Sequence, residues 1–328
     1  MRVVLGAVMA AALCAIASAS HRLPSAKPKI EASQPTPRPI PSELPSDTIA
    51  EDEAPRAAYA AFLHTEVGNR PPSGEPNAWV YVPTRFDPKQ RLRVVMFFHG
   101  YHNCVRSFVA DQGVPCRQFD SPRTAYGIAA HMERAELGSI AIVPQLAFDR
   151  DSSDPLCLGE PGAARALLRE IVEKHLREAI GARTLEDVDD VTFVAASGGT
   201  SALGPVLLGG KVANVHRVVL MDAYYAPSLA LDEFVIQNLD AFADGRRLAV
   251  VYSDGRPLTP TLEFAARIEE RLKKRGSLEW LTHAPLPHAV ATSDFSGRIS
   301  FVRSALDHDD VMRFDLWKAL AGGGAAPP

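Results

Sequence analysis

The chain has 328 residues, of which 46% are hydrophobic and 23% are charged, and its net charge is −4. This composition is typical of a globular protein, and the scattered Lys and Arg residues argue against a nucleic-acid partner. No run of 18 uncharged apolar residues follows residue 19, so we expect no integral membrane segment in the mature chain.

The first 19 residues have the pattern of a cleaved secretory signal peptide. Arg2 precedes an apolar run over residues 3–16, and small residues follow at positions 17–19. Cys14 follows Leu13 rather than a small residue, which argues against lipid anchoring. We therefore predict export through a cleaved signal peptide, either to the periplasm or out of the cell.

The segment after the signal peptide, residues 20–55, is rich in proline, serine and charge and has almost no bulky apolar residues. It cannot bury enough apolar surface to offset its chain entropy, so we predict a disordered linker. Residues 322–328 are predicted to be a disordered tail. The remaining residues, 56–321, contain no internal repeat and are assigned to one domain.

Within this domain, short apolar runs alternate with amphipathic stretches, which is typical of an α/β protein. Helical spacing predicts helices at Ala163–Ile180, Thr259–Arg275 and Asp310–Ala321. The order of elements predicts a mostly parallel sheet flanked by helices on both faces. The predicted strands are Ala78–Val82, Leu92–His99, Ser139–Val143, Val191–Ala195, His216–Met221, Leu248–Ser253, Leu278–Leu281 and Ile299–Arg303.

Two long irregular connections, residues 100–121 and 145–160, follow the carboxyl ends of predicted strands, where α/β sheets bind ligands. They contain the three cysteines of the mature chain, Cys104, Cys116 and Cys157. In an oxidising compartment two of them are expected to form a disulfide. Cys104 and Cys116 are the preferred pair because they are nearest in sequence, with Cys157 as the competitor for either. None lies on a strand-to-helix turn, so a structural role is expected rather than a nucleophilic one.

The residues around Ser197 have the pattern of a nucleophile on a sharp strand-to-helix turn. An apolar strand ends at Ala195, and Gly198 and Gly199 follow the serine. Such a turn is strained and tolerates only small neighbours. Two features depart from the pattern: Ala195 replaces the first glycine of G-x-S-x-G, and Pro205 would kink or end a helix that begins near Gly198. The alternative is that Ser197 merely caps that helix.

An earlier strand ends in His99 and Gly100, with Tyr101 next. Acyl transfer needs two backbone N–H donors for the developing oxyanion, one after the nucleophile and one after an earlier strand. Gly198 and Tyr101 stand at these positions, with Gly100 as the alternative to Tyr101. His99 precedes the nucleophile, so we expect it to be a structural hydrogen-bonding residue rather than the base.

A strand ending in His-Gly, a serine turn, and then an aspartate and a histidine in that order resemble the α/β-hydrolase superfamily over about residues 78–321. Three segments are also similar to a poorly characterised group of exported bacterial hydrolase-like proteins, namely residues 144–147 (PQLA), 196–199 (ASGG) and 221–225 (MDAYY). The resemblance implies an α/β-hydrolase fold and a Ser-His-Asp triad, and it does not fix a substrate.

The triad acid has two candidates, each at the end of a predicted strand. Members of the superfamily place this group after either of the two strands that follow the nucleophile. A buried carboxylate there fixes the tautomer of the imidazole and stabilises the imidazolium. We prefer Asp222, because Asp254 is followed by glycine and turn formation alone explains it.

The base also has two candidates, His308 and His288. His308 lies between the last predicted strand and the terminal helix, which is where the superfamily places its histidine. His288 would be preferred if Leu278–Leu281 were the final strand. The stronger strand and helix around His308 decide in its favour, because the base must lie on a rigid late loop within reach of the serine.

Metal-ligand spacings, a G-x-G-x-x-G motif and a phosphate loop are missing from the sequence, so no metal or cofactor is expected. The sequence therefore predicts an exported serine hydrolase that cleaves an ester in a small-molecule or polymeric acyl substrate, with an amide as the less favoured bond. Ser197 would attack, His308 would transfer the proton and Asp222 would orient His308. The alternative is a binding protein of the cell envelope that keeps the hydrolase scaffold with a degenerate site.

Overall fold

A computed structural model of the chain describes residues 59–72, 74–117 and 120–322. The predicted signal peptide and linker and all but the first residue of the predicted tail lie outside the described residues. Within them, no helix is long and apolar enough to cross a membrane.

The core of the described part is one nine-stranded sheet with the order β1-β2-β4-β3-β5-β6-β7-β9-β8. β1 and β4 both run antiparallel to β2, and all other neighbours are parallel. The strands are β1 Tyr59–Leu63, β2 Ala78–Val82, β3 Leu92–Phe98, β4 Ile140–Pro144, β5 Val188–Ala196, β6 Val215–Met221, β7 Arg247–Tyr252, β8 Leu281–His288 and β9 Ile299–Ser304.

Helices connect the strands and cover both faces of the sheet. The α-helices are Val105–Val109, Ile128–Arg134, Ala163–Glu170, Arg177–Ile180, Thr200–Gly209, Leu229–Asp232, Leu239–Ala243, Leu258–Arg275, His308–Asp310 and Leu316–Ala321. Short 3-10 helices are Leu156–Gly159, Leu185–Asp187, Ser197–Gly199, Leu278–Trp280 and Thr292–Phe295. π-helical turns at Ile171–His175, Glu233–Gln237 and Val311–Asp315 continue helices that precede them.

Two hydrophobic cores lie on opposite faces of the sheet because neighbouring strand residues point in opposite directions. In β3, Met96 belongs to the core that contains Leu167 of the helix Ala163–Glu170. The next residue, Phe97, belongs to the other core, with Met132 and Leu316. The mostly parallel sheet with helices on both faces, as predicted, is therefore confirmed.

One predicted strand, Leu278–Leu281, is wrong. Residues Leu278–Trp280 form a 3-10 helix, and the strand β8 only begins at Leu281. β8 is an edge strand and contains Pro285 and Pro287. Proline lacks the N–H that pairing on both sides of a central strand needs, so it is tolerated in an edge strand. Because prolines are rare in strands, these two residues kept the sequence pattern from predicting β8.

Pro205 does not end the helix that follows Ser197, which runs from Thr200 to Gly209. Proline removes the donor to the carbonyl four residues earlier and crowds that carbonyl. Here that carbonyl belongs to Ser201, and both Ser201 and Pro205 are exposed. Water can solvate the unpaired carbonyl, so the helix continues.

The parallel strands bring several connections to one edge of the sheet. In the register, Phe98 of β3 lies opposite Ala195 of β5, and Ala196 lies opposite Met221 of β6. The residues that immediately follow these strands therefore meet at the carboxyl edge, where open α/β sheets bind ligands.

Candidate active site

Ser197 lies at the tip of a tight turn between β5 and the helix Thr200–Gly209. Its φ angle is 49°, in the left-handed region that residues with a side chain rarely adopt. Such a conformation costs of order 1 kcal/mol and persists only where the surroundings impose it. The turn lifts the serine hydroxyl out of the sheet edge.

Three glycines let the backbone close around Ser197. A Cβ at Gly100 would lie 2.9 Å from the Cβ of Ser197. A Cβ at Gly199 would lie 2.2 Å from the carbonyl oxygen of Phe98, and one at Gly198 would lie 2.2 Å from Cε1 of the Tyr101 ring. Close approach, rather than flexibility, therefore requires glycine here.

We expect Gly199→Ala to lower the free energy of unfolding by about 3 kcal/mol, because the new Cβ meets the backbone of a central strand. Gly198→Ala is the matched contrast, since the obstructing Tyr101 ring is 47% exposed and can rotate. It should cost less than about 1 kcal/mol. Chemical denaturation of both variants measures this difference, and equal losses would contradict the packing argument.

A continuous hydrogen-bonded path joins Ser197, His308 and Asp222. Ser197 Oγ lies 2.9 Å from His308 Nε2, and His308 Nδ1 contacts Asp222 Oδ2. A carboxylate beside Nδ1 accepts the ring N–H there, which leaves Nε2 with the lone pair that accepts from the serine hydroxyl. The imidazole is thus held in the tautomer that can remove the serine proton.

Asp222 is held by more than the histidine. Its side chain is buried, and Ser253 donates to it from both its backbone N at 2.6 Å and its Oγ at 2.9 Å. These donors satisfy the carboxylate in a site where an unpaired charge would be costly. The hydrogen bond to Asp222 raises the pKa of His308, against the lowering effect of its burial.

His99 orders the loop that passes beside Ser197. It is fully buried, and this burial lowers its pKa to about 4. Its Nε2 accepts from Leu146 N at 3.0 Å, so its Nδ1 donates to the carbonyl oxygen of Gly100, also at 3.0 Å. That carbonyl belongs to the same planar peptide as the N–H of Tyr101, so fixing one fixes the direction of the other.

No protein-family model and no curated protein matches the sequence. Among solved structures, the chain is similar to the feruloyl esterase module from Clostridium thermocellum, with 14% identity, a TM-score of 0.44, and coverage of 75% of this chain and 82% of that chain. It is also similar to a ferulic acid esterase from Anaeromyces mucronatus, with 12% identity, a TM-score of 0.43, and coverage of 84% and 93%. For esterase 2 from Thermogutta terrifontis the identity is 13%, the TM-score is 0.41, and the coverage is 79% and 92%.

The fold of this chain follows from its own strand order and from the residues at the ends of its strands. Seven neighbouring parallel strands, from β4 to β8, follow β1 and β2, which are joined by antiparallel pairing. Ser197, with its left-handed backbone conformation, lies on the turn after the central strand β5. An aspartate follows β6 and a histidine follows β9. The chain has the α/β-hydrolase fold.

Two cavities of this α/β-hydrolase domain meet at Ser197, His308 and Tyr101. The smaller, of about 300 Å³, is polar, and His102, Asn103, Arg123, Thr124, Tyr126 and Asp309 contribute to its walls. The larger, of about 690 Å³, is also lined by Gly198, Asp222, Tyr225, Asp254, Arg256 and Pro257. Ser197 therefore borders both cavities.

Tyr225 also belongs to the site, although no sequence pattern predicts a role for it. Its hydroxyl lies 3.4 Å from Ser197 Oγ and 3.3 and 3.4 Å from the two ring nitrogens of His308. It follows Asp222 by three residues on an irregular segment after β6. In the sequence, only its place in the segment MDAYY, residues 221–225, distinguishes this tyrosine. The spacing of apolar residues does not predict a role for it.

The alternative acid, Asp254, and the alternative base, His288, bind other residues. Asp254 lines the larger cavity, but its carboxylate accepts from Arg303 Nε at 2.7 Å. His288, at the end of β8, has its Nε2 2.9 Å from Asp294 Oδ2. The structure therefore brings Asp222 and His308, rather than these two residues, to Ser197.

A disulfide joins Cys104 and Cys116, the predicted pair, with their Cα atoms 5.7 Å apart. Cys104 follows the loop that carries Tyr101, and Cys116 lies on the segment that leads to the cavity residue Arg123. Cys157 lies outside this pair, buried, with its Sγ 3.1 Å from an oxygen of Asn69. The bridge thus ties together two walls of the smaller cavity.

Removing this bridge by replacing Cys104 and Cys116 with serine should lower the free energy of unfolding by about 3 kcal/mol, since the closed loop of the unfolded chain regains its entropy. Chemical denaturation of the oxidised protein and the double variant measures the change. A wild type treated with reductant should match the variant. Equal stabilities of all three would contradict a bridge in the native protein.

No group of three or more His, Cys, Asp or Glu side chains within residues 59–72, 74–117 and 120–322 could hold a metal ion.

Proposed function

We propose that the protein is a serine hydrolase that cleaves carboxylic esters. The observation that carries the proposal is the unbroken path from Asp222 through His308 to a strained Ser197, with 2.9 Å between the serine oxygen and the histidine nitrogen. A serine within hydrogen-bond reach of a histidine that is itself bonded to a carboxylate has the geometric signature of an activated nucleophile.

In the first half of the proposed reaction, Ser197 Oγ attacks the ester carbonyl while His308 Nε2 takes the serine proton. The N–H groups of Tyr101 and Gly198 stabilise the oxyanion, with Gly100 as the alternative to Tyr101. The bond to the alcohol then breaks, and His308 returns the proton to the leaving oxygen. The products of this half are the free alcohol and an ester on Ser197.

In the second half, a water molecule attacks the acyl group on Ser197, with His308 as its base. The bond to Ser197 Oγ breaks, the serine regains its proton from His308, and the acid leaves. We place esters before amides because an alcohol leaves more readily than an amine from the same intermediate.

We further propose that the enzyme works outside the cytoplasm. The signal-peptide pattern over residues 1–19 supports export, and the disulfide between Cys104 and Cys116 is compatible with an oxidising compartment. A small-molecule or polymeric acyl substrate would be met in the periplasm or outside the cell.

Labelling with a fluorophosphonate, which reacts covalently with activated serines, tests the proposal. We expect the mature wild type to be labelled and Ser197→Ala to be unlabelled while keeping the same unfolding transition. Hydrolysis of a short-chain ester should be lost in the same variant. A folded wild type that neither reacts nor hydrolyses esters would overturn the proposal and favour a binding protein with a degenerate site.

A further inference from the structure

Tyr225 stands beside the two atoms between which the proposed reaction moves its proton. Ser197 Oγ and His308 Nε2 are 2.9 Å apart, and the Tyr225 hydroxyl is 3.4 Å from each of them. At such distances the hydroxyl makes only weak hydrogen bonds in the resting site. It is therefore available to an oxygen that arrives between them.

From this triangle we infer that Tyr225 is a further catalytic residue, which donates a hydrogen bond to the leaving oxygen in each half of the reaction. The inference rests on the proposed function. A leaving alcohol oxygen must lie near Ser197 Oγ, from which it is separated by one carbon, and near His308 Nε2, which gives it a proton. The Tyr225 hydroxyl borders that position.

The phenol is suited to donate rather than to ionise. Burial raises the pKa of Tyr225 to about 12, so the hydroxyl keeps its proton at neutral pH. During acylation the carbon–oxygen bond to the alcohol breaks, His308 supplies the proton, and Tyr225 keeps its own proton while hydrogen-bonding the departing oxygen. During deacylation the departing oxygen is Ser197 Oγ itself, which the same hydroxyl reaches.

The position of Tyr225 also indicates which cavity holds the alcohol part of the substrate and which holds the acyl part. Tyr225 lines the cavity of about 690 Å³ and does not line the cavity of about 300 Å³. If its hydroxyl meets the leaving oxygen, the alcohol occupies the larger cavity and the acyl group faces the smaller, polar one. The substrate class that follows is an ester of a short or polar acid with a bulkier alcohol.

Tyr225→Phe tests this role with two esters that differ in their need for help at the leaving oxygen. p-Nitrophenyl acetate and p-nitrobenzyl acetate share the acyl group and the ring, but only the first releases a stable anion. We expect kcat/KM to fall about 10- to 100-fold for the benzyl ester, which is the value of one hydrogen bond to developing charge. The fall for the phenyl ester should be less than about 3-fold.

Tyr252→Phe is the matched control, because the Tyr252 hydroxyl is buried and has no hydrogen-bond partner among the described residues. It should leave both kcat/KM values unchanged. Equal losses for the two esters in Tyr225→Phe, or no loss for either, would overturn the role of Tyr225 and leave the proposed function intact. A wild type that hydrolyses neither ester would count against the proposed function as well, which labelling of Ser197 tests separately.

Discussion

His308→Ala is expected to lower kcat/KM for a short-chain ester by about 10⁴-fold, because the variant has no base to remove the Ser197 proton. Ser197 Oγ would lose its partner at 2.9 Å, and no other imidazole contacts it in the described part of the chain. Backbone donors and substrate binding remain, so a small activity above that of water should persist. Steady-state kinetics with purified wild type and variant measure the ratio.

His288→Ala is the matched control for this prediction, since it removes the same side chain from the other candidate position. His288 pairs with Asp294 at the end of the edge strand β8, so its loss should change kcat/KM by less than about 2-fold. The unfolding transition of both variants should show that they fold. If only His288→Ala abolished turnover, the assignment of the base would be wrong.

The strands that position the site could be predicted because buried parallel strands are continuous apolar runs. The strands β3, β5 and β6 are almost entirely buried, and each ends where a candidate site residue begins. Since parallel strands end at one edge, the order of the residues along the chain was enough to bring Ser197 and Asp222 together. His308 followed from the strand and helix on either side of it.

The choice between Asp222 and Asp254 could only be weighed from the sequence, because both follow strands that end at the same edge. The structure separates them by their partners. Asp222 is buried and hydrogen-bonded to Ser253 and His308. Asp254 instead pairs with Arg303 and is followed by Gly255 at φ 120°. The glycine turn that argued against Asp254 is therefore present.

Tyr225 and the two edge strands could not be predicted from the spacing of apolar residues. Tyr225 lies on an irregular segment, and its role depends on side-chain distances that no sequence spacing fixes. The edge strands β1 and β8 escaped prediction because an edge strand is buried only in part and β8 contains two prolines. The pattern of apolar residues therefore predicts the strands that are buried on both faces, and it misses the strands that are only partly buried.

Asp222→Asn is expected to lower kcat/KM by about 10³- to 10⁴-fold at neutral pH while leaving the site almost the same size. The amide can donate to His308 Nδ1, which would place the imidazole proton on Nε2 and block it as a base. The variant also removes the negative charge that stabilises the imidazolium in the transition state. The two losses act through the same ring, so they are not expected to add.

The pH dependence of kcat/KM distinguishes an effect of Asp222 on His308 from a general loss of structure in Asp222→Asn. The hydrogen bond and charge of Asp222 raise the pKa of His308 above its ordinary value of 6.5, and only neutral His308 can act as the base. Wild-type kcat/KM should therefore rise with pH along a limb whose midpoint lies above 6.5. In Asp222→Asn the midpoint should move to lower pH. Asp254→Asn is the matched control, and it should keep the wild-type midpoint, since its carboxylate pairs with Arg303 rather than with His308. An unchanged midpoint in Asp222→Asn would show that Asp222 does not set the protonation of the base.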